Sequence, residues 1–220
     1  MESDSIAANV KRILEALPTG VLLVAAAKAR RPEEVEAALR AGVTHVGHNY
    51  VQEAERMIPV IQEKARWHMI GHLQKNKVKK AVRLFDMIET LDSWPLAELM
   101  DRRCADIGKI MPVLVEINSG REASKTGVFP EEVDDLVRRV SDLQHIRVQG
   151  LMTMGPRFGN PENARPYFRA TREAFDRLAR ADLPNIEMRY LSMGMSNSYR
   201  VAIEEGANMV RLGTVLFGER

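Results

Sequence analysis

Val21-Leu22-Leu23-Val24-Ala25-Ala26-Ala27-Lys28 is the stretch on which the reading of this chain turns. Seven apolar residues run straight into a lysine, and Arg30, Arg31 and Pro32 then break the run. That is too short for an ordinary globular helix and far too short to span a membrane. It reads as a strand apolar on both faces, the kind found in parallel sheets covered on both sides. Lys28 falls at its C-terminal end, the edge on which α/β folds build their chemistry.

Outward from this strand, the pattern alternates. Upstream, Ile6, Val10, Ile13, Leu14 and Leu17 share one helical stripe that Pro18-Thr19-Gly20 ends. Downstream, Pro32 opens a helix that Gly42 stops. His45-Val46-Gly47-His48-Asn49 reads as a short strand, and 50–63 as a helix that Pro59 kinks or ends early. Further strands are expected over 67–73, 87–91, 111–118, 146–154, 187–192 and 209–212. The helices between them are expected over 77–85, 94–107, 130–140, 162–181 and 197–205. Strict β-then-α alternation means a parallel sheet. Eight such units in 220 residues point to an α/β fold, a single (β/α)8 TIM barrel over 1–220 with an extra N-terminal helix. The competing architecture is an open doubly wound sheet, but no Gly-x-Gly-x-x-Gly follows the first strand.

Bulk composition excludes several classes. Lys plus Arg number 32 and Asp plus Glu 30, so the basic excess of a dedicated nucleic-acid binder is missing. A single cysteine, Cys104, rules out a disulfide framework within the chain. The start, Met1-Glu2-Ser3-Asp4, is acidic and polar, unlike a signal peptide, and no apolar run approaches the length of a membrane span. The expectation is a cytoplasmic protein with neither a membrane nor a nucleic acid as partner.

Two glycine-bearing stretches fall where barrels hold phosphate, after the seventh and eighth strands. The first is Ser192-Met193-Gly194-Met195-Ser196-Asn197-Ser198, just before a helix. The second is Arg211-Leu212-Gly213-Thr214. Small residues let backbone N–H groups approach an oxyanion, hydroxyls add donors, and a helix N-terminus adds positive potential. Each stretch alone also reads as an N-cap or a tight turn; together they point to a phosphate site. Lys28, on the strand that closes against the eighth, would face the same mouth. An amine between apolar walls sheds its proton more readily, and such an amine beside a phosphate site suits a Schiff base with pyridoxal 5′-phosphate.

Other candidates compete. His48, His68 and His72 could supply three metal ligands, although no carboxylate ligand stands near them and polar lining of a mouth is the plainer account. Ser124-Lys125-Thr126-Gly127 reads equally as an anion-facing loop or a turn. Met152, Met154, Met193 and Met195 read as flexible packing rather than a redox cluster.

With these residues in place, the chain resembles the pyridoxal phosphate homeostasis proteins, barrels related to the N-terminal domain of alanine racemase. The resemblance runs in order through Val24-Ala25-Ala26-Ala27-Lys28, Gly47-His48-Asn49-Tyr50-Val51-Gln52-Glu53 and the stretch from Trp67 to Lys77. It continues through Ser124-Lys125-Thr126-Gly127, Gly150-Leu151-Met152-Thr153-Met154, Leu191-Ser192-Met193-Gly194-Met195-Ser196 and Met209-Val210-Arg211-Leu212-Gly213-Thr214. It implies that Lys28 carries the aldimine and that Ser192, Met193, Gly194, Ser196, Gly213 and Thr214 help hold the phosphate. Arg211 matches the arginine that the racemase sets against the pyridine nitrogen, where it disfavours protonating that nitrogen, and Asn49 would lie near the ring. Two positions depart from the family's pattern. Ala27 stands where Ser or Thr is usual, which would loosen a hydrogen bond near the cofactor. His48 stands where Glu is usual, which would change the charge at the mouth.

The resemblance also bears on turnover. A racemase needs an acid/base group on each face of the bound substrate, and in alanine racemase the second is a tyrosine from another subunit's C-terminal domain. This sequence stops at Arg220, so a monomer that holds pyridoxal phosphate without turnover is expected, with apoenzymes that use it as recipients. The alternative is an amino-acid racemase-like enzyme, with Tyr50, Tyr167, Tyr190 and Tyr199 as the available tyrosines.

Overall fold

Strand β1 (Leu22–Ala26) pairs in parallel with β2 (His45–His48) on one side and β8 (Met209–Leu212) on the other, which closes the sheet. Between them lie β3 (Arg66–Met69), β4 (Met87–Leu91), β5 (Met111–Ile117), β6 (Ile146–Thr153) and β7 (Ile186–Ser192), paired in sequence order around a closed barrel. The computed structural model describes residues 2–122, 125–156 and 159–219. The helices around the barrel are α2 (Pro32–Arg40), α3 (Val51–Met57), α4 (Val78–Leu84), α5 (Trp94–Ala105), α6 (Val133–Val140), α7 (Arg165–Ala179) and α8 (Tyr199–Glu204). The extra N-terminal helix α1 (Glu2–Ala16) packs on α2 and on the closing turn α9 (Thr214–Phe217). The (β/α)8 barrel with its added helix is therefore the fold.

The unbroken apolar run of β1 follows from its two-sided burial. Leu23, Ala25 and Ala27 belong to the core between sheet and helices. Leu22, Val24 and Ala26 belong to a second cluster inside the barrel, with Ile70, Met87, Leu114, Met152 and Met209. Successive side chains of a strand alternate faces, so the residues two and four beyond Val24 continue the inward row. Lys28 is the second of them.

Element ends follow local chemistry. Pro32 occupies the first turn of α2, and the Arg31 N–H donates to Glu34 Oε2 at 2.7 Å. Helix α3 stops at Met57 and tightens into a 3-10 turn, Ile58–Val60, because Pro59 has no N–H to extend the ladder. Strand β3 ends at Met69 rather than reaching 73, and a second 3-10 turn, Lys75–Lys77, precedes α4.

Leu114 is fully buried among the interior cluster. Leu114→Ala is expected to destabilise the fold by about 2–5 kcal/mol, read as a lower urea midpoint at unchanged denaturant slope.

Candidate functional site

Lys28 sits one turn past β1, half-buried, at the C-terminal mouth. Its Nζ lies 5.3 Å from the centroid of the Tyr50 ring, which follows β2. The turn that carries it is held from behind. The Ala27 N–H donates to Gly47 O at 2.9 Å, and the Arg30 N–H to Ala27 O at 3.1 Å. Arg30 pairs with Glu34 at 3.2 Å and donates to the carbonyls of Phe217 and Gly218, which bolts the Lys28 turn to the end of the chain. Ala29 adopts φ 57, the left-handed region that costs a non-glycine residue about 1–2 kcal/mol.

Below the mouth, the barrel interior holds a buried polar network. The Glu89 carboxylate is fully buried on β4. It meets His68 Nδ1 at 2.7 Å and accepts from Ser192 Oγ at 2.7 Å. Arg211 donates to the same Ser192 hydroxyl at 2.6 Å and to Thr153 O at 2.9 Å, with its guanidinium 3.9 Å from Glu89. Burial alone would raise the Glu89 carboxyl, but His68, Arg211 and Ser192 bring it below the ordinary carboxylate range. Burial lowers the Arg211 pKa, and Glu89 and Glu116 oppose that; a guanidinium keeps its charge in such company.

Glu116, on β5, is the second buried interior carboxyl. Its Oε1 accepts from Thr126 Oγ1 at 2.9 Å, while its Oε2 is buried without a partner among the described residues. Burial pushes it up to about 7, against the opposing hydrogen bond from Thr126. Thr126 and Lys125 are thus both engaged by carboxylates, since Lys125 Nζ meets Glu122 at 2.6 Å. The segment acts as a turn closing over β5 rather than an open anion loop, and Ser124 lies outside the described residues.

The two rim loops are stitched together. Gly213 N–H donates to Ser196 Oγ at 3.2 Å, and Arg211 N–H to Gly194 O at 3.1 Å. Gly194 has φ +93, and a side chain there would fall 2.7 Å from Ala202 Cβ and 2.8 Å from Tyr199 Cα, so only glycine lets α8 start this close to β7. The N–H groups of Ser196 and Thr214 have no protein acceptor among the described residues. Lys28, Asn49, Ser196, Arg211, Gly213 and Thr214 therefore gather around the mouth. Ser192 lies just beneath, with its hydroxyl taken up by Glu89 and Arg211. Met193 does not join them: its side chain is buried in the helix-facing core and its N–H donates to Met209 O.

The histidines separate. His68 points inward to Glu89, His72 is exposed near Asp92, and His48 faces the helices, stacked on Trp67 at 5.7 Å. No group of three potential metal ligands occurs among the described residues. The expected change of charge at the mouth from His48 is corrected. Burial pushes His48 down to about 4, and with Ala27 it lines a cavity of about 190 Å³ on the outer side of β1 and β2. Ala27 likewise faces away from the mouth, so no hydrogen bond there depends on it. Glu89 and Glu116 are the site residues that the sequence reading missed. Their signal was present, because an acidic residue in the middle of an otherwise apolar strand must have a buried partner.

This barrel, with an amine, a caged arginine and free N–H donors at one rim, matches a known class. A family model described as "Alanine racemase, N-terminal domain" covers residues 1–220. An alanine racemase from Clostridium difficile shares the fold at TM-score 0.83 and 18% identity, with 99% of this chain covering 57% of that one. A pyridoxal phosphate homeostasis protein of Aquifex aeolicus is 41% identical over 199 residues, 90% of this chain and 86% of its own. PipY of Synechococcus elongatus PCC7942, solved with pyridoxal phosphate bound, superposes at TM-score 0.88 with 32% identity, covering 97% of this chain and all of its own. The chain belongs to the pyridoxal phosphate homeostasis protein family.

Glu116 gives the site a pH signature. Its folded value of about 7 exceeds the ordinary 4.5, so between these the folded state holds the extra proton and stability falls as pH rises. His45 and His48, both pushed down to about 4 by burial, act in the opposite sense between pH 4 and 6.5. Glu89, lowered, acts only below its ordinary range. The difference between wild type and Glu116→Gln isolates the first effect. Urea melts at pH 5 and pH 8 should show the variant gaining up to roughly 3 kcal/mol relative to wild type at the higher pH. A pH-independent difference would refute the assignment.

Proposed function

We propose that this protein binds pyridoxal 5′-phosphate and acts in its intracellular homeostasis, holding it covalently on Lys28 without turnover. The observation that carries the reading is the convergence at one mouth of the Lys28 amine, the caged Arg211 guanidinium and the unpaired N–H groups of Ser196 and Thr214.

The residues present fit that cofactor. A phosphate needs several donors and no competing carboxylate. The rim offers the Ser196 and Thr214 N–H groups and hydroxyls, and a Cβ on Gly213 would enter the space before Ala26 O, at 3.4 Å. When bound, pyridoxal phosphate supplies an aldehyde that a primary amine can capture and a ring able to accept electrons. Lys28 is the amine, and its turn is pre-set by Arg30 and Ala29. Arg211, fixed by Ser192 and Thr153 O, presents a cation that cannot give up a proton to a ring nitrogen and opposes protonation of that nitrogen. Such a site binds the ring while weakening its electron-accepting power. Asn49, half-buried at the end of β2, would lie near the ring.

The alternative, an amino-acid racemase-like activity, needs a second acid/base group facing Lys28. Tyr50 meets Lys28 Nζ with its ring face, and the Tyr199 hydroxyl is engaged by Arg200 at 3.3 Å. We therefore favour storage and delivery by residues 1–220 as one unit, with cytoplasmic apoenzymes as recipients. No helix among the described residues is long and apolar enough to cross a membrane.

The deciding measurement is the visible spectrum with added pyridoxal phosphate. Wild type should turn yellow and be fixed by borohydride, and Lys28→Ala should do neither. A colour that survives the substitution would place the cofactor on another lysine. No colour in the wild type would leave a phosphate-binding barrel of another ligand.

A further inference from the structure

Between the ends of β2 and β3, the mouth opens sideways into a cavity of about 450 Å³. Its polar walls are Asn49, Tyr50, Gln52, His72, Gln74 and Lys77, and no carboxylate lines it. Lys77 is half-buried in the 3-10 turn before α4, and its ammonium has neither an ion pair nor a hydrogen bond among the described residues. His72 turns Nδ1 toward Asp92 Oδ2, at 3.5 Å, which holds that one nearby acid outside the lining. The floor is rigid. A side chain on Gly71 would meet Asn49 O at 2.3 Å, so the two strand ends are pressed together and residue 71 must stay small. Tyr50 is the shared wall, since the ring that borders the cavity is also the ring beneath Lys28 Nζ.

A half-buried cation in a cavity lined by three primary amides, with no carboxylate in its walls, is a place for a small anion. A single cation among neutral amides suits a monocarboxylate better than a phosphate dianion, whose donors stand across the mouth on the β7 and β8 loops. We infer that this cavity is a carboxylate subsite for amino acids, Lys77 holding the carboxylate while the amine end points past Tyr50 toward Lys28. The inference deepens the function proposed above and rests on it for the direction of the amine. It gives the protein a means of sensing amino acids, or of orienting them, beside the stored cofactor.

The test uses the cofactor-free protein, so that it does not depend on colour. Chemical shifts of labelled alanine are titrated against wild type, Lys77→Gln, Lys77→Arg and, as a control on the outer surface of α4, Lys79→Gln. Wild type and Lys79→Gln should bind alanine alike, Lys77→Arg should bind within about twofold, and Lys77→Gln should bind about fivefold more weakly. Ethylamine, which lacks the carboxylate, should bind wild type at least about fivefold more weakly than alanine. Equal binding of alanine by wild type and Lys77→Gln, or of ethylamine and alanine by wild type, overturns the subsite. So does inorganic phosphate displacing alanine at lower concentration than acetate does. Loss of cofactor colour in Lys77→Gln would make the cavity part of the cofactor site and overturn it too. A wild type that binds alanine in this pattern but takes no colour upholds the subsite and overturns the function proposed above.

Discussion

A charge inside a barrel is the constraint on which this site depends. Arg211 is buried within a ring of β-strands, where an unpaired cation would cost several kcal/mol. Glu89 makes it tenable, with Ser192 Oγ bridging the two at 2.7 Å and 2.6 Å. The same carboxylate orients His68 from β3, and Arg211 reaches the Thr153 carbonyl on β6. Four side chains and one carbonyl thereby tie β3, β4, β6, β7 and β8 together at a single depth. The network contributes position more than stability. A hydrophobic filling of equal volume would hold a barrel as well, but it would not present a fixed positive charge to the mouth.

The second constraint is the turn beneath Lys28. Ala29 accepts a left-handed backbone, and Arg30 is held by Glu34 and by the carbonyls of Phe217 and Gly218. The lysine therefore leaves the strand in one direction, with its entropy already restricted before any ligand arrives. Because β1 and β8 are neighbours, with Val24 opposite Arg211, the amine and the guanidinium are set by adjacent strands of one sheet. Sheet register sets the strands side by side and the clamped turn then aims the lysine, which is why two residues so distant in sequence can act on one small molecule.

Much of this was legible from residue order. The two-faced apolar run of β1, the alternation of strand and helix, and the glycines after β7 and β8 gave the barrel and its mouth, because each is a local signal with a single geometric solution. Strand parity carried more than was drawn from it. If Lys28 and Asn49 point inward, then Ala27 and His48 must point outward, and the departures at those two positions belong to the helix layer and not to the mouth. Glu89 could not be assigned a role in the same way. Its partners lie 21 residues before it and 103 after it, and only closure of the sheet brings them together. Glu116 is similar, since its carboxyl is recognised as a site residue only once Thr126 folds back onto it.

The mouth that results is asymmetric, and its asymmetry has chemical content. On the side of β7, β8 and β1, donors and cations are locked by main-chain register, the buried network and the Arg30 clamp. On the side of β2 and β3, the strands end early, Gly71 holds their ends together, and the walls are long polar side chains over open space. A cofactor's charged group is best held by the rigid half, where donors need not reorganise. A ligand that comes and goes is best met by the open half, where Gln52, Gln74 and Lys77 can adjust. Tyr50, half-exposed between the halves with Lys28 over its ring, is where the two meet, so whatever enters from the open side must pass the one amine that the rigid side has placed.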